Sequence, residues 1–146
     1  MIVDAYTHIL PAGYQAMLEE KITDRDMSLN SARYAQTIPT LVDLEARFRL
    51  MDDFGEYIQV VSVASPPIYS IAPPEVAAEL CRVANDELAE LVLNYPHRFA
   101  AGIATLPLND VDAALEEAQR AIRDLRLRAV ELYTDINGQP LDAPQF

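Results

Sequence analysis

Near its start the chain reads Asp4-Ala5-Tyr6-Thr7-His8-Ile9-Leu10-Pro11, and His8 is one of only two histidines in 146 residues. An imidazole is the side chain best suited to hold a divalent cation or to move a proton near neutral pH. The stretch has the character of a strand, in which alternate side chains share a face. Asp4, Tyr6 and His8 are therefore expected to point the same way. Two imidazoles spaced as His-x-His at a strand end can converge on one metal ion, and here the pair is Tyr-x-His. A phenol, with an ordinary pKa near 10, gives up its proton for a metal less readily than a neutral imidazole gives its lone pair. Taken alone, a strand-end histidine is more often a hydrogen-bonded structural residue than a ligand.

The elements that must position these groups follow a regular rhythm. Residues 1–9 read as a first strand, and 11–39 as a loop insertion holding one short helix near GYQAMLEEKI. A helix is predicted over 40–55, with Leu41, Leu44, Phe48 and Met51 on one face, Thr40 as N-cap and Gly55 as its stop. YIQVVSVAS is a second strand, closed by Pro66-Pro67. The segment 74–96 is a helix with Val76, Leu80, Val83, Ala84, Leu88 and Leu91 inward. RFAAGIATLPL makes a third strand. Helix 109–125 follows, with Val111, Leu115, Ala118, Ile122 and Leu125 on one face, and 127–134 is the fourth strand. INGQP reads as a turn in which Gly138 supplies a positive φ.

Strands alternating with helices imply βαβ units and a parallel sheet. Of its two usual forms, the nucleotide-binding open sheet needs a Gly-rich loop, and the four glycines here form no such loop. A (β/α)8 barrel collects its chemistry at the C-terminal ends of the strands. Tyr6, His8, Ser62, Ser65, Thr105, Tyr133, Thr134, Asp135 and Asn137 all fall there. His97 precedes the third strand and belongs to the opposite end. Asn85 and Asp86 are expected on a polar helix face or against a neighbouring loop, Arg98 pairing near Asp86 or Glu87, and Cys81 as a small buried hydrophobe. Glu116 and Glu117 are expected on a solvated face. Glu131, if inward, needs a partner.

Composition narrows the function classes. A net charge of −12 with a single lysine argues against nucleic acid and anionic membranes as partners. One cysteine excludes an intrachain disulfide and a Cys-based zinc site, which suits a reducing compartment. No signal peptide or membrane span is evident, so a cytoplasmic protein is the default expectation.

IVDAYTHILP resembles the first-strand signature of the amidohydrolase superfamily, in particular its decarboxylase group that includes aminocarboxymuconate-semialdehyde decarboxylase, with the pattern Asp-x-His-x-His-x-x-Pro. RFRLMDDFGEYIQVVSVASPP, ANDELAELVLNYPHRFAAGIATLPLND and VELYTDINGQPLDAPQF resemble that group's successive segments in the same order. The resemblance implies an α/β TIM (β/α)8 barrel, of which residues 1–146 are the N-terminal part covering about the first four β/α units. The rest of the barrel, or a second chain, would complete it, and a homo-oligomer is expected. It also implies a divalent metal ion, zinc favoured, with His8 as ligand. Tyr6 stands at the first-ligand position, as a weak ligand or as a hydrogen-bond donor to substrate, and Ser65 is a second substrate-binding candidate. The implied activity is nonoxidative decarboxylation of a small carboxylate-bearing molecule. A hydratase, a lactone or ester hydrolase, or a catalytically degenerate acid-binding subunit are the alternatives.

Overall fold

A computed structural model describes residues 1–22, 37–64 and 66–144. Its elements run β1 (Ile2–Ile9), α1 (Ala12–Lys21), α2 (Leu44–Asp52), β2 (Tyr57–Val63), α3 (Ile68–Ile71), α4 (Pro74–Asn94), β3 (Phe99–Ala104), α5 (Val111–Arg123) and β4 (Ala129–Val130). A hairpin of β5 (Asp135–Ile136) and β6 (Gln139–Pro140) follows. The main sheet has the order β1-β2-β3-β4, and every neighbouring pair is parallel. A doubly wound sheet reverses its order at a switch point, whereas a barrel lays each strand beside the last. The unbroken order is that of a barrel's first four units.

The core lies between this sheet and α4. Leu80, Ala84 and Leu88 pack on Val61, Val63 and Phe99, all buried, and Cys81 is buried with them. The predicted helix within 11–39 is α1, which buries Tyr14 and Leu18. The rest of that insertion, 23–36, lies outside the described residues. No side chain of α1 caps its own N-terminus. Instead the Glu87 carboxylate of α4 accepts from the amides of Gly13 (2.8 Å) and Tyr14 (2.6 Å), satisfying two donors that the helix itself leaves free.

Several local expectations are corrected. Thr40 does not cap α2. Pro39–Leu41 form a tight 3-10 turn, and Asp43 is the cap, accepting from the amides of Glu45 (2.8 Å) and Ala46 (3.1 Å). A carboxylate next to the first helical residue outcompetes a hydroxyl already wound into a turn. Gly55, at φ 71°, stops the chain after α2 as predicted.

The fourth strand pairs only through Ala129 and Val130, against Ile103 and Ala104, rather than over 127–134. Alternation predicts how side chains face, not how far a ladder extends. The chain then turns through Asn137 (φ 51°) and Gly138 (φ 80°), two consecutive left-handed residues of the kind that closes a two-residue hairpin.

Helix α5 is rotated from its expected face. Ala114, Glu117 and Ala121 are buried, while Leu115 is 65% exposed and Ile122 41%. Glu117 is thus not on a solvated face. It receives the Arg120 guanidinium through Nε and Nη2 (both 2.8 Å) and the Asn85 amide (2.7 Å). Asn85 also exchanges two 2.9 Å hydrogen bonds with the Thr105 backbone, the loop contact foreseen for it. A helix buries the stripe that meets its neighbour's polar partners, and three satisfied groups outweigh the apolar alternative. Asp86 takes the outer side of Arg120 at 2.6 Å. Arg98 is structural as expected, but its partner is Asp52 at 2.6 Å, with Phe48 beneath its guanidinium at 5.2 Å. The two carboxylates expected for it are already engaged, Asp86 by Arg120 and Glu87 by the α1 amides of Gly13 and Tyr14.

Candidate functional site

The site is shaped by an irregularity in β1. Asp4 stands opposite Gln59 and Thr7 opposite Val61, so three steps along β1 match two along β2. One extra residue between them is a bulge, and a single-residue slip exchanges the faces of everything beyond it. Asp4 and Thr7 consequently share the face of Gln59 and Val61, and Asp4 accepts from the Tyr57 hydroxyl at 2.5 Å. His8 falls on the other face with Ser62. The expectation that Asp4, Tyr6 and His8 point the same way is corrected: Tyr6 and His8 meet edge to face, ring centroids 4.7 Å apart, and Asp4 is turned away from them.

Hydrogen counting selects a tautomer for His8. The Ser62 hydroxyl donates its one hydrogen towards the Thr7 carbonyl (3.4 Å) and lies 2.8 Å from His8 Nδ1. Both contacts are hydrogen bonds at once in the tautomer whose Nδ1–H donates to Ser62 Oγ, and that tautomer leaves Nε2 with its lone pair. This is how a metal-binding histidine is commonly held, with one nitrogen tied by a neighbour and the other open.

Glu131 is inward and buried, and it has the partner that burial demands: the Tyr6 hydroxyl donates to Glu131 Oε1. That bond, together with desolvation and the nearby carboxylate charge, pushes the Tyr6 phenol up to about 12. Without a cation beside it, Tyr6 thus keeps its proton at neutral pH. Folded Tyr6 binds its proton more tightly than unfolded Tyr6, whose pKa lies near 10. The stability this contributes is present below about pH 10 and is lost as pH rises towards 12. Absorbance titration at about 295 nm is expected to show one phenol ionising near pH 12 in the wild type that is missing from Tyr6→Phe. A missing phenol that titrates near pH 10 contradicts the Tyr6–Glu131 bond.

The other strand-end candidates build a wall beside this group. Tyr133 meets Tyr69 edge to face at 6.1 Å, the Tyr69 hydroxyl donates to the Asp135 carbonyl (2.9 Å), and Asn137 donates to the Tyr69 carbonyl (3.3 Å). Thr134 is exposed. The Thr105 backbone is committed to Asn85. Ser65 lies outside the described residues. His97 is exposed just ahead of β3, at the far end of the sheet from His8. Burial pushes the Cys81 thiol well up, so it is neither nucleophile nor ligand.

Among the described residues no group of three or more His, Cys, Asp or Glu side chains converges as a metal cage. His8 Nε2 fits as one donor to a divalent ion. Among the described residues no helix is long and apolar enough to cross a membrane.

Comparisons with known proteins agree with this architecture. The amidohydrolase family model matches residues 3–146. The gamma-resorcylate decarboxylase of Rhizobium sp. (strain MTP-10005) is 43% identical over 86 residues, 58% of this chain and 26% of that one. The crystal structure of 5-carboxyvanillate decarboxylase from Sphingomonas paucimobilis superposes with a TM-score of 0.82 at 25% identity, over 99% of this chain and 46% of that one. A dihydroxybenzoic acid decarboxylase from Polaromonas sp. JS666, solved with bound manganese and the inhibitor 2-nitroresorcinol, gives a TM-score of 0.67 at 27% identity, over 89% of this chain and 38% of that one. The chain thus spans less than half the length of the relatives it matches. A family match over nearly every residue, on a sheet with a barrel's strand order, makes the protein a member of the amidohydrolase family whose fold is the first β/α units of a TIM barrel.

Proposed function

We propose that this chain carries the β1–β4 part of the active site of a metal-dependent, nonoxidative decarboxylase of hydroxylated aromatic acids. The observation that carries this reading is His8, held through Nδ1 by Ser62 with Nε2 open, at the C-terminal end of the first strand beside Tyr6. Support comes from relatives whose names state decarboxylation of resorcylate, carboxyvanillate and dihydroxybenzoate, one of them with manganese bound.

Residues 1–146 act in this reading as the N-terminal part of one barrel domain, whose further strands supply the remaining ligands. A divalent ion bound there supplies positive charge against the negative charge that develops as CO2 leaves. His8 contributes one ligand. Tyr6, whose hydrogen is engaged by Glu131, keeps lone pairs with which to accept from a substrate hydroxyl. In the overall reaction the bond from ring carbon to carboxylate breaks, CO2 departs, and a proton takes its place on the ring.

The test is metal analysis of the assembled barrel, this chain together with the strands that complete it, with loss of 2,6-dihydroxybenzoate absorbance and release of CO2 followed as manganese or zinc is added to the metal-stripped protein. Metal-dependent turnover supports the reading, and comparing the two ions decides whether zinc is the right choice. Stoichiometric metal without turnover, or neither, defeats it in favour of the degenerate acid-binding subunit. Tyr6→His, which restores the two-imidazole spacing, is expected to tighten manganese binding.

A further inference from the structure

Arg47 stands out among the groups the site has not used. It is 4% exposed, and among the described residues no carboxylate lies within ion-pairing distance of its guanidinium. Burial lowers its pKa from the usual arginine value. A buried charge whose counter-charge, Asp4, acts only from beyond ion-pairing distance still costs free energy, and an apolar side chain of similar volume would fill the same space without that penalty. What an apolar side chain would not do is bind three oxygens at fixed angles. Arg47 does this. Nε donates to the Thr40 carbonyl in the turn ahead of α2 (2.8 Å), Nη1 to Gln59 Oε1 on β2 (2.6 Å), and Nη2 to the carbonyl of His8 itself.

That last contact lies just past the bulge that turns His8 to its face. A bulge interrupts the ladder and leaves the strand locally less constrained by its neighbour. Beyond it, β1 holds to β2 through Thr7, His8 and Ile9 alone. We propose that Arg47 is a positioning residue for His8: by tying the His8 carbonyl to α2 and β2, it fixes the backbone at the strand end and so the direction of the imidazole. Gln59 is part of the same device, since it holds one arm of the fork and is in turn held by the Tyr57 hydroxyl (3.3 Å), which also binds Asp4 (2.5 Å). The functional value of this positioning rests on the reading of His8 as a metal ligand; the geometric claim does not.

The chain has two histidines, so their ring nitrogens can be followed separately by 15N-edited NMR, with His97 at the far end as an internal control. In Arg47→Met, Nδ1 and Nε2 of His8 are expected to lose their distinct N–H and lone-pair signatures and move towards tautomer averaging, while His97 stays unmoved. Arg47→Lys keeps the charge but cannot span three acceptors, and should fall between Arg47→Met and the wild type. Manganese affinity of the assembled barrel, measured by calorimetry, should drop about 10- to 100-fold in Arg47→Met, the range seen when groups orienting a metal ligand are removed.

Unchanged His8 resonances in folded Arg47→Met overturn the proposal. Should that variant not fold, Gln59→Met decides: it loosens one arm of Arg47, and His8 resonances that stay at their wild-type positions overturn the proposal equally. An assembled barrel, this chain with the strands that complete it, that binds no manganese defeats the proposed function and leaves the His8 resonances to judge Arg47.

Discussion

Replacing His8 with alanine is expected to lower kcat/KM for a 2,6-dihydroxybenzoate-type acid by at least about 100-fold, equivalent to about 2.7 kcal/mol of transition-state stabilisation. The same change should release bound manganese while leaving the thermal transition close to that of the wild type. His8 packs on Tyr6 and bonds Ser62 at the open end of the sheet, outside the core of α4, β2 and β3, so little packing depends on it. Ser62→Ala tests the same arrangement one bond further out. It removes the acceptor that holds Nδ1, and a loss of about 10-fold or more in metal affinity is expected. An alanine at position 8 that retains both metal and turnover removes this histidine from the chemistry and reduces it to the structural residue that a lone strand-end histidine usually is.

The second large effect is on stability. Arg120→Ala is expected to destabilise the fold by about 3 kcal/mol, because it leaves the Glu117 carboxylate buried with much of its compensation gone. Glu117 is 2% exposed, and its remaining partners are the Asn85 amide at 2.7 Å and Arg82 at a distant 3.9 Å. For a chain of this size that corresponds to a fall of about 6–12 °C in Tm, measured by circular dichroism. The double change Arg120→Met with Glu117→Met, which removes both charges, should recover much of the loss. A Tm within about 2 °C of wild type for Arg120→Ala contradicts this account of the α4–α5 contact. Asp86→Ala, which removes only the exposed outer partner of Arg120, should cost less than about 1 kcal/mol.

Much of this protein was legible in the chain itself, and for a physical reason. Alternating apolar residues and helical periods of three and four are local properties, so the strands β1 and β2 and the helices α4 and α5 can be read close to their observed bounds, while α2 and β3 are read in place but several residues too long. Asn137-Gly138 carries its own turn, and Gly55 its own stop. The spacing of Tyr6 and His8 made their shared face readable, and the need of a buried carboxylate for a partner made a mate for Glu131 predictable. Tertiary structure alone decided the rest. Nothing within β1 announces its bulge, because a bulge is a mismatch of register between two strands, and it alone separates Asp4 from Tyr6 and His8. That Tyr6 is the partner of Glu131 depends on bringing residues 125 positions apart into contact. The rotation of α5, which buries Glu117 and exposes Leu115, follows from the Asn85 and Arg120 groups waiting on neighbouring surfaces, and a helix's own periodicity cannot show them. Arg47 passes in sequence for an ordinary helix-surface cation. Only the packed fold gives its guanidinium three oxygens from three separate elements, one of them the carbonyl of His8.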